Sequence, residues 1–428
     1  MRKVVQSVKG TRDFYPDQMA VRTWLYNTCR RVSESFGYQE YEAPMLEALE
    51  LYAAKSGEEL VNEQAYILED RSGSKLALRP ELTPSLARMV AQKQNELTFP
   101  IRWWSFGPFW RYERPQKGRT REFFQWNVDL LGVDSPEADA ENVAVLASFF
   151  DKVGLKPDQV MILVNDRRLM EEQFTSMGIQ KRNKDQAFSW VDKKEKLTPE
   201  SWTAEGEKIG LSSKQIDQMK SILDDKSLWQ QSDSLKRFFA AIQAMGLDRF
   251  VAFDPSVARG LLYYTGTVFE AWEVAGDIKR SILGGGRYDN LLADVGGTPL
   301  PAVGFAMGDV VISLILQNYG LIPKDILKQP AEIMVTVFDK ERMTNSIELA
   351  ASFRAAGIKA TCYPEAIKLD KQLKYADRTG IPWVIIYGSS ELEANTVTIK
   401  SLRTGEQKSL SRSQMIEDIR RLLASDSS

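Results

Sequence analysis

The chain has 428 residues, too many for one ordinary domain at roughly 100 to 200 residues each, and its 43% hydrophobic and 27% charged composition is that of a globular protein. No apolar run reaches the roughly 18 residues of a membrane helix and the opening residues lack the apolar core of a secretory signal, so a soluble, cytoplasmic protein without a membrane partner is expected. The 56 basic and 58 acidic side chains leave any polyanion partner to local patches, two cysteines exclude a disulfide scaffold, and the absence of histidine excludes Ser-His-Asp and Cys-His catalysis, imidazole metal sites and imidazole proton shuttles.

After a turn-like stretch at 10–16, Met19, Val21, Trp24, Leu25, Cys29, Val32 and Phe36 recur at near-helical spacing. That spacing predicts an amphipathic helix over 17–36, capped by Asp17 and ended by Gly37. A strand over 38–42 should stop at Pro44 or be confined by it to an edge. Residues 66–78 read as a hairpin turning at 70–74, 82–94 as a helix, and 101–131 as strand, basic loop, strand. From 165 to 247 the texture is helical and charged, including 193–196 and 212–228, and an inserted module is expected. Strand texture returns over 250–272, followed by Gly284, Gly285 and Gly286 and an apolar helix after Gly308. Beyond Pro323, strand 331–337, helix 340–356, strand 360–363, helix 368–379 and strand 383–387 alternate as in a separate α/β domain with a largely parallel sheet.

The segment from Phe106 to Gln125, FGPFWRYERPQKGRTREFFQ, carries the densest chemistry. Arg111, Arg114, Lys117, Arg119 and Arg121 fall within eleven residues, beside Glu113 and broken by Pro115 and Gly118. Guanidinium forks match phosphate oxygens and screen charge on a transferring group, so this loop suits polyphosphate or an RNA end, although a solvated basic loop has the same composition. Arg79-Pro80-Glu81-Leu82-Thr83-Pro84 adds a carboxylate and a hydroxyl suited to an ammonium group, and RGLLYYTG from Arg259 to Gly266 joins a cation to two phenols. Each also has a structural reading: Glu81 as a capping or surface carboxylate, Tyr263 and Tyr264 as core aromatics, the three glycines as a tight turn.

Taken in this order, from KGTRDFYP at 9–16 to Asp309, the segments resemble the histidyl-tRNA synthetases, a family of class II aminoacyl-tRNA synthetases, and the region after 323 is similar by pattern to their anticodon-binding domain. The resemblance implies an α+β fold with an antiparallel-sheet catalytic core at 1–164 and 248–322. It also implies a helical insertion at 165–247 that clamps the tRNA acceptor end, and an α/β anticodon-binding domain at 323–428. A histidine–tRNA ligase follows, activating L-histidine with ATP and Mg2+, charging histidine tRNA, and working as a homodimer paired through the first helix and the strand before Pro44. By family role, Arg111 and Arg259 are the catalytic pair. Arg111 would bind the ATP α-phosphate and the substrate carboxylate, with Arg259 facing that phosphate from the opposite side. Glu113 would read the adenine amino group, Phe123 stack on the ring, and Arg119 or Arg121 hold the terminal phosphates. Histidine would be held by Glu81, Thr83 and Gln125 at its ammonium and by Asp129 and Tyr264 at its imidazole, with Leu82 also against it. Tyr263 would stand nearby, over a backbone floor at 284–286. Arg114 and Gln116 match positions that read the extra 5′ guanosine of histidine tRNA and its partner base, and arginine is a physically sensible partner for guanine.

Such a reaction needs no histidine side chain. The attacking carboxylate is already an anion, and the pentavalent transition state asks only for positive charge. For transfer to tRNA, a phosphate oxygen of the adenylate can take the proton. Two departures from the family pattern stand out. Val311 occupies the position where the third class II motif ends in an arginine stacked over adenine, and Asp129 stands where many bacterial members carry glutamate. Two other readings share the fold: the histidine-binding regulatory subunit of ATP phosphoribosyltransferase, which lacks the anticodon domain and the full arginine set, and a noncatalytic histidine or tRNA sensor. Neither would exchange pyrophosphate into ATP in response to histidine.

Overall fold

The computed structural model describes residues 4–53, 63–194, 197–259, 263–278, 280–326 and 329–426, so Glu195, Lys196 and the Gly260, Leu261 and Leu262 of RGLLYYTG lie outside the described residues. The chain divides into two units, Met1–Pro323 and Lys324–Ser428.

In the first unit, helix α1 (Pro16–Ser35) begins with proline at a position where a missing N–H costs nothing, and Tyr15 is its N-cap. Asp17, expected to cap it, lies inside the first turn instead, where its charge meets the positive end of the helix dipole. Leu25, Cys29 and Val32 form the buried stripe, and Gly37 follows at φ +80°. The strand expected over 38–42 is reduced to β1 (Gln39–Glu40). Next come β2 (Leu46–Ala48), the short α2 (Glu50–Ala53), and the hairpin β3 (Tyr66–Glu69) and β4 (Lys75–Leu78). The Asp70 carboxylate closes that hairpin by accepting the backbone N–H groups of Ser72 (2.8 Å) and Ser74 (2.9 Å).

Helix α3 (Thr83–Lys93), β5 (Ile101–Trp110), β6 (Glu122–Leu131), α4 (Pro136–Lys152) and β7 (Val160–Asp166) follow. Five helices come next: α5 (Arg167–Ser176), α6 (Lys184–Asp192), α7 (Pro199–Lys208), α8 (Ser213–Asp224) and α9 (Asp233–Ala244). Their core includes Trp190 and Trp202, stacked 3.9 Å apart, each indole N–H donating to the other residue's carbonyl. The chain returns through β8 (Val251–Phe253), β9 (Thr267–Glu273), β10 (Ser281–Arg287), α10 (Leu291–Asp294), β11 (Ala302–Gly308) and α11 (Asp309–Asn318).

Eight strands form one sheet in the order β1-β5-β6-β11-β10-β9-β7-β8, antiparallel except at β1–β5 and β7–β8. The five helices thus leave the sheet at the end of β7 and re-enter on its parallel neighbour β8. Period-two alternation gives the sheet two unlike faces. On β6, Phe124, Trp126, Val128 and Leu130 are buried, and the Trp126 indole N–H donates to Ser33 Oγ of α1 (3.0 Å) and packs on Phe149 of α4. The intervening residues Phe123, Gln125, Asn127 and Asp129 face the other way. On β11 the same division sets Val303, Phe305 and Met307 against Gly304, Ala306 and Gly308.

The second unit holds β12 (Ile333–Val335), α12 (Met343–Ala355), β13 (Ala360–Cys362), α13 (Leu369–Arg378) and β14 (Trp383–Ile386). These are the expected βαβαβ elements, and β13-β12-β14 pair in parallel. Beyond them α14 (Ser389–Glu393) precedes β15 (Thr396–Ser401), β16 (Gln407–Ser411) and α15 (Met415–Asp426). Both added strands pair antiparallel, so the sheet is mixed and not largely parallel. Val397, Ile399 and Ser401 turn one face of β15 inward. No described helix is long and apolar enough to cross a membrane.

Candidate active site

Strand register assembles the site. Gln125, Asn127 and Asp129 on β6 pair with Gly308, Ala306 and Gly304 on β11, while Ala306 pairs with Gly284 on β10 and Gly284 with Glu270 on β9. Over this face lies a cavity of about 380 Å³, the size of a small-molecule site. Small residues on β10 and β11 make the floor, and longer side chains arrive from the loops. Glu81, Leu82, Thr83, Arg111, Glu113, Arg119, Phe123, Gln125, Asp129, Arg259, Tyr263 and Tyr264 all line it.

Glu81, Leu82 and Thr83 sit at the start of α3, and the buried Arg79 ties their segment to the sheet. Its guanidinium donates to the carbonyls of Pro108 (2.9 Å) and Ala43 (2.9 Å), pairs with Glu42, and lies over the Phe109 ring. Arg111 leaves the end of β5 with Nε donating to the Pro80 carbonyl (2.9 Å) and its guanidinium over the Phe123 ring at 5.3 Å. Beyond it the basic loop turns at Gly118, φ +81°, between the backbone pair Gln116 and Arg119. Arg119 pairs with Glu113 at 3.1 Å over the cavity.

Arg259 reaches the cavity from a backbone at φ +46°, where a non-glycine residue is strained. Nη1 donates to Glu270 Oε1 at 2.9 Å, and the guanidinium lies 5.8 Å from the centre of the Tyr264 ring. Burial opposes its charge, but the Tyr264 phenol and the Glu270 carboxylate outweigh burial and hold the group above its ordinary value. Room for it comes from the sheet: a methyl group added at Gly284 would lie 1.7 Å from Arg259 Nη1. Gly304 does the same for Asp129, whose Oδ1 would stand 2.0 Å from an added methyl.

Asp129 is 5% exposed, and burial pushes its carboxyl up to about 7, offset in part by the Tyr288 hydroxyl donating to Oδ1 at 2.6 Å. Tyr288 is itself held beside Arg287, whose fully buried guanidinium pairs with the fully buried Asp139. Asp129 thus lines the cavity as a buried carboxyl able to accept a hydrogen bond from a ligand.

Not every expected residue gathers here. Arg121 lies over the Tyr112 ring at 3.9 Å, with Nε on the Glu113 carbonyl (3.1 Å) and its backbone N–H on the Gly10 carbonyl (2.8 Å); Arg119 alone of the two lines the cavity. Arg114 and Gln116 are exposed on the loop, outside the cavity. The three glycines are not a turn but the middle of β10, paired on both sides.

Asn127, Glu270 and Tyr288 complete the surroundings without having been singled out in the sequence. Asn127 shares the phase of Gln125 and Asp129, a legible signal, and Glu270 is a carboxylate inside an otherwise apolar strand start, a weaker one. Tyr288 meets Asp129 across 159 residues and carries no local signal. Val311 lines the cavity from α11, and no arginine takes its place on that helix.

A family model described as histidyl-tRNA synthetase matches residues 10–309, and one described as an anticodon binding domain matches 332–422. The chain is 37% identical over 413 residues to a chloroplastic/mitochondrial histidine–tRNA ligase of Arabidopsis thaliana, covering 94% of this chain and 84% of that one. It is 34% identical over 436 residues to a histidine–tRNA ligase of Leptospira biflexa, covering 98% of each. Its fold is similar to the crystal structure of histidyl-tRNA synthetase from Nostoc sp., with a TM-score of 0.79, 26% identity and coverage of 98% of this chain and 100% of that one.

Proposed function

The chain belongs to the histidyl-tRNA synthetase family, and from that premise we propose how its side chains divide the work of joining histidine to histidine tRNA at the expense of ATP. It is an aminoacyl-tRNA synthetase, specific for histidine. The observation that carries the division is that Arg111 and Arg259, from segments far apart in sequence, line one cavity above one face of the sheet.

Histidine lies with its imidazole between Asp129 and Tyr264, beside Tyr263, and its ammonium near Glu81, Leu82, Thr83 and Gln125. Its carboxylate attacks the α-phosphorus of ATP. A carboxylate O–P bond forms, the bond from that phosphorus to the bridging oxygen breaks, and pyrophosphate leaves with the electron pair. Arg111 and Arg259 flank the phosphorus and neutralise charge building on its oxygens. Glu113 accepts from the adenine amino group, Phe123 stacks on the ring, and Arg119 holds the terminal phosphates. ATP enters as its magnesium complex.

Arg114 and Gln116, exposed on the loop, read the 5′ end of the acceptor; the 165–247 helices clamp the acceptor stem and the 323–428 unit takes the anticodon. The anticodon-domain match and the full-length ligase relatives favour this reading over a histidine-binding regulatory subunit. We place the protein in the cytoplasm as a homodimer paired through α1 and the segment before Pro44.

Charging of histidine tRNA with and without its extra 5′ guanosine tests the RNA side. Loss of the guanosine should lower charging roughly 5- to 150-fold, the worth of one good arginine–guanine contact, and Arg114→Ala should bring both RNAs to the same low level. Equal charging of both RNAs by the unaltered enzyme would remove the role given to this loop.

Asp129 predicts a pH dependence. Protonation takes the charge from the acceptor of an imidazole N–H, so KM for histidine should rise as pH falls through about 7. The Tyr288 hydroxyl favours the charged form, so Tyr288→Phe should move that inflection to higher pH. Histidine-dependent pyrophosphate exchange between pH 6 and 8.5 reads both curves, and superimposable curves would contradict the assignment of Asp129 to the imidazole.

A further inference from the structure

We propose that Arg280, the residue just before strand β10, is a further ATP-binding residue, which shares the terminal phosphates with Arg119. The inference rests on the nucleotide reading given above and names a residue that reading does not use.

The tip of the basic loop locates it. A methyl group added at Gly118 would lie 3.4 Å from Cδ and 3.9 Å from Nε of Arg280, and 3.6 Å from Cγ2 of Val311. Arg280 and Val311 therefore flank the same point of the loop, on the side where Gly118 and Val311 both line the cavity. The next four residues, Ser281 to Gly284, line it as well. Pairing of β10 with β9 shifts register between Ser281 and Leu283, an irregularity of the kind that re-aims neighbouring side chains.

Charge points to the ligand. Among the described residues the Arg280 guanidinium has no hydrogen bond or ion pair. Burial and the nearby Arg119 both disfavour its charge, and Glu113 favours it. Glu113 is already paired with Arg119 at 3.1 Å. Two guanidinium groups thus share one carboxylate at the edge of a cavity. An anion between them relieves their repulsion, whereas a neutral base ring does not, so the phosphates are the part of the nucleotide that fits. The family's motif arginine on α11 would stand over the base. Here the added cation comes from the turn before β10 and meets the phosphates instead.

The test is histidine-dependent pyrophosphate exchange by Arg280→Ala and Arg280→Lys, with Arg111→Ala alongside. Arg280→Ala should raise KM for ATP about tenfold, the worth of one partly exposed charge-assisted contact, and leave KM for histidine unchanged. Arg280→Lys should recover most of the loss, since a point charge suffices for phosphate. In single-turnover adenylate formation, inhibition by added pyrophosphate should weaken in parallel while inhibition by AMP stays the same. An unchanged KM for ATP in Arg280→Ala, or weakened inhibition by AMP alone, overturns the proposal. An unchanged KM for histidine verifies that the variant is folded, and if it changes, the Lys variant carries the same test. If Arg111→Ala abolishes exchange while Arg280→Ala has no effect, the site reading survives and only Arg280 loses its role; if Arg111→Ala is fully active, the site reading itself fails.

Discussion

Arg259→Ala should lower kcat for histidine-dependent pyrophosphate exchange by roughly 10²- to 10³-fold, about 3–4 kcal/mol, with a smaller change in KM for ATP. A guanidinium that met the phosphate only by chance would cost far less. This one is fixed before any substrate arrives, by Glu270 at 2.9 Å, by the Tyr264 ring beside it and by a backbone held at φ +46°. Its charge needs no reorganisation as the transition state forms, which is where preorganised groups gain their effect. Arg259→Lys should recover little, because one ammonium cannot keep the Glu270 contact and reach the phosphate with the same fork. Arg111→Ala should fall by a similar amount. The double variant should fall by less than the product of the two, as groups acting on one transition state do. Single-turnover formation of histidyl-adenylate by rapid quench measures all four, and a loss confined to KM would contradict a transition-state role.

Gly284→Ala should be nearly as damaging although it removes nothing. Its methyl group would need the space of Arg259 Nη1, 1.7 Å away. Because that atom ends a flexible side chain, the sheet tolerates the substitution by letting the guanidinium move, and the fold survives. Catalysis does not, since a shift of about an ångström in a positioned group costs on the order of 10²-fold. Gly304→Ala should fail differently, its methyl displacing Asp129 Oδ1 from 2.0 Å away, so that KM for histidine rises and kcat suffers less. Exchange kinetics separate the two outcomes, and thermal unfolding close to that of the unaltered protein verifies that both variants fold. Full activity in Gly284→Ala would mean that Arg259 does not work from the position it holds over β10.

The legible parts of the molecule were those written locally. The stripe Leu25, Cys29, Val32 announces α1, the Asp70–Ser74 turn announces its hairpin, and the basic loop between two aromatic-rich strands is visible as a unit. Asp17 misled because proline at the first helical position moves the cap back to Tyr15. Strands β15 and β16 carry no strong strand signal because Thr396–Ser401 alternates apolar residues with polar ones and Gln407–Ser411, the edge strand, is nearly all polar, so the pattern is clear only once one face is known to be buried. At the site, residues contiguous with a motif could be named, and Asp129 came from the family resemblance. Contacts closed by topology could not: Tyr288 reaches Asp129 over 159 residues, and Arg280 lies beside Gly118 of the basic loop from far along the chain. Geometry likewise separates Arg119 from Arg121, since Arg121 lies over the Tyr112 ring and of the two only Arg119 lines the cavity.

The central claim is that two guanidinium groups close on one phosphorus from opposite sides. A crystal structure with ATP and histidinol, which lacks the attacking carboxylate, tests it most directly. The account predicts Arg111 and Arg259 each within hydrogen-bond distance of a different α-phosphate oxygen, with the imidazole on Asp129. An α-phosphate touched by only one of them, with the other still turned to the Pro80 carbonyl or to Glu270 alone, would contradict it.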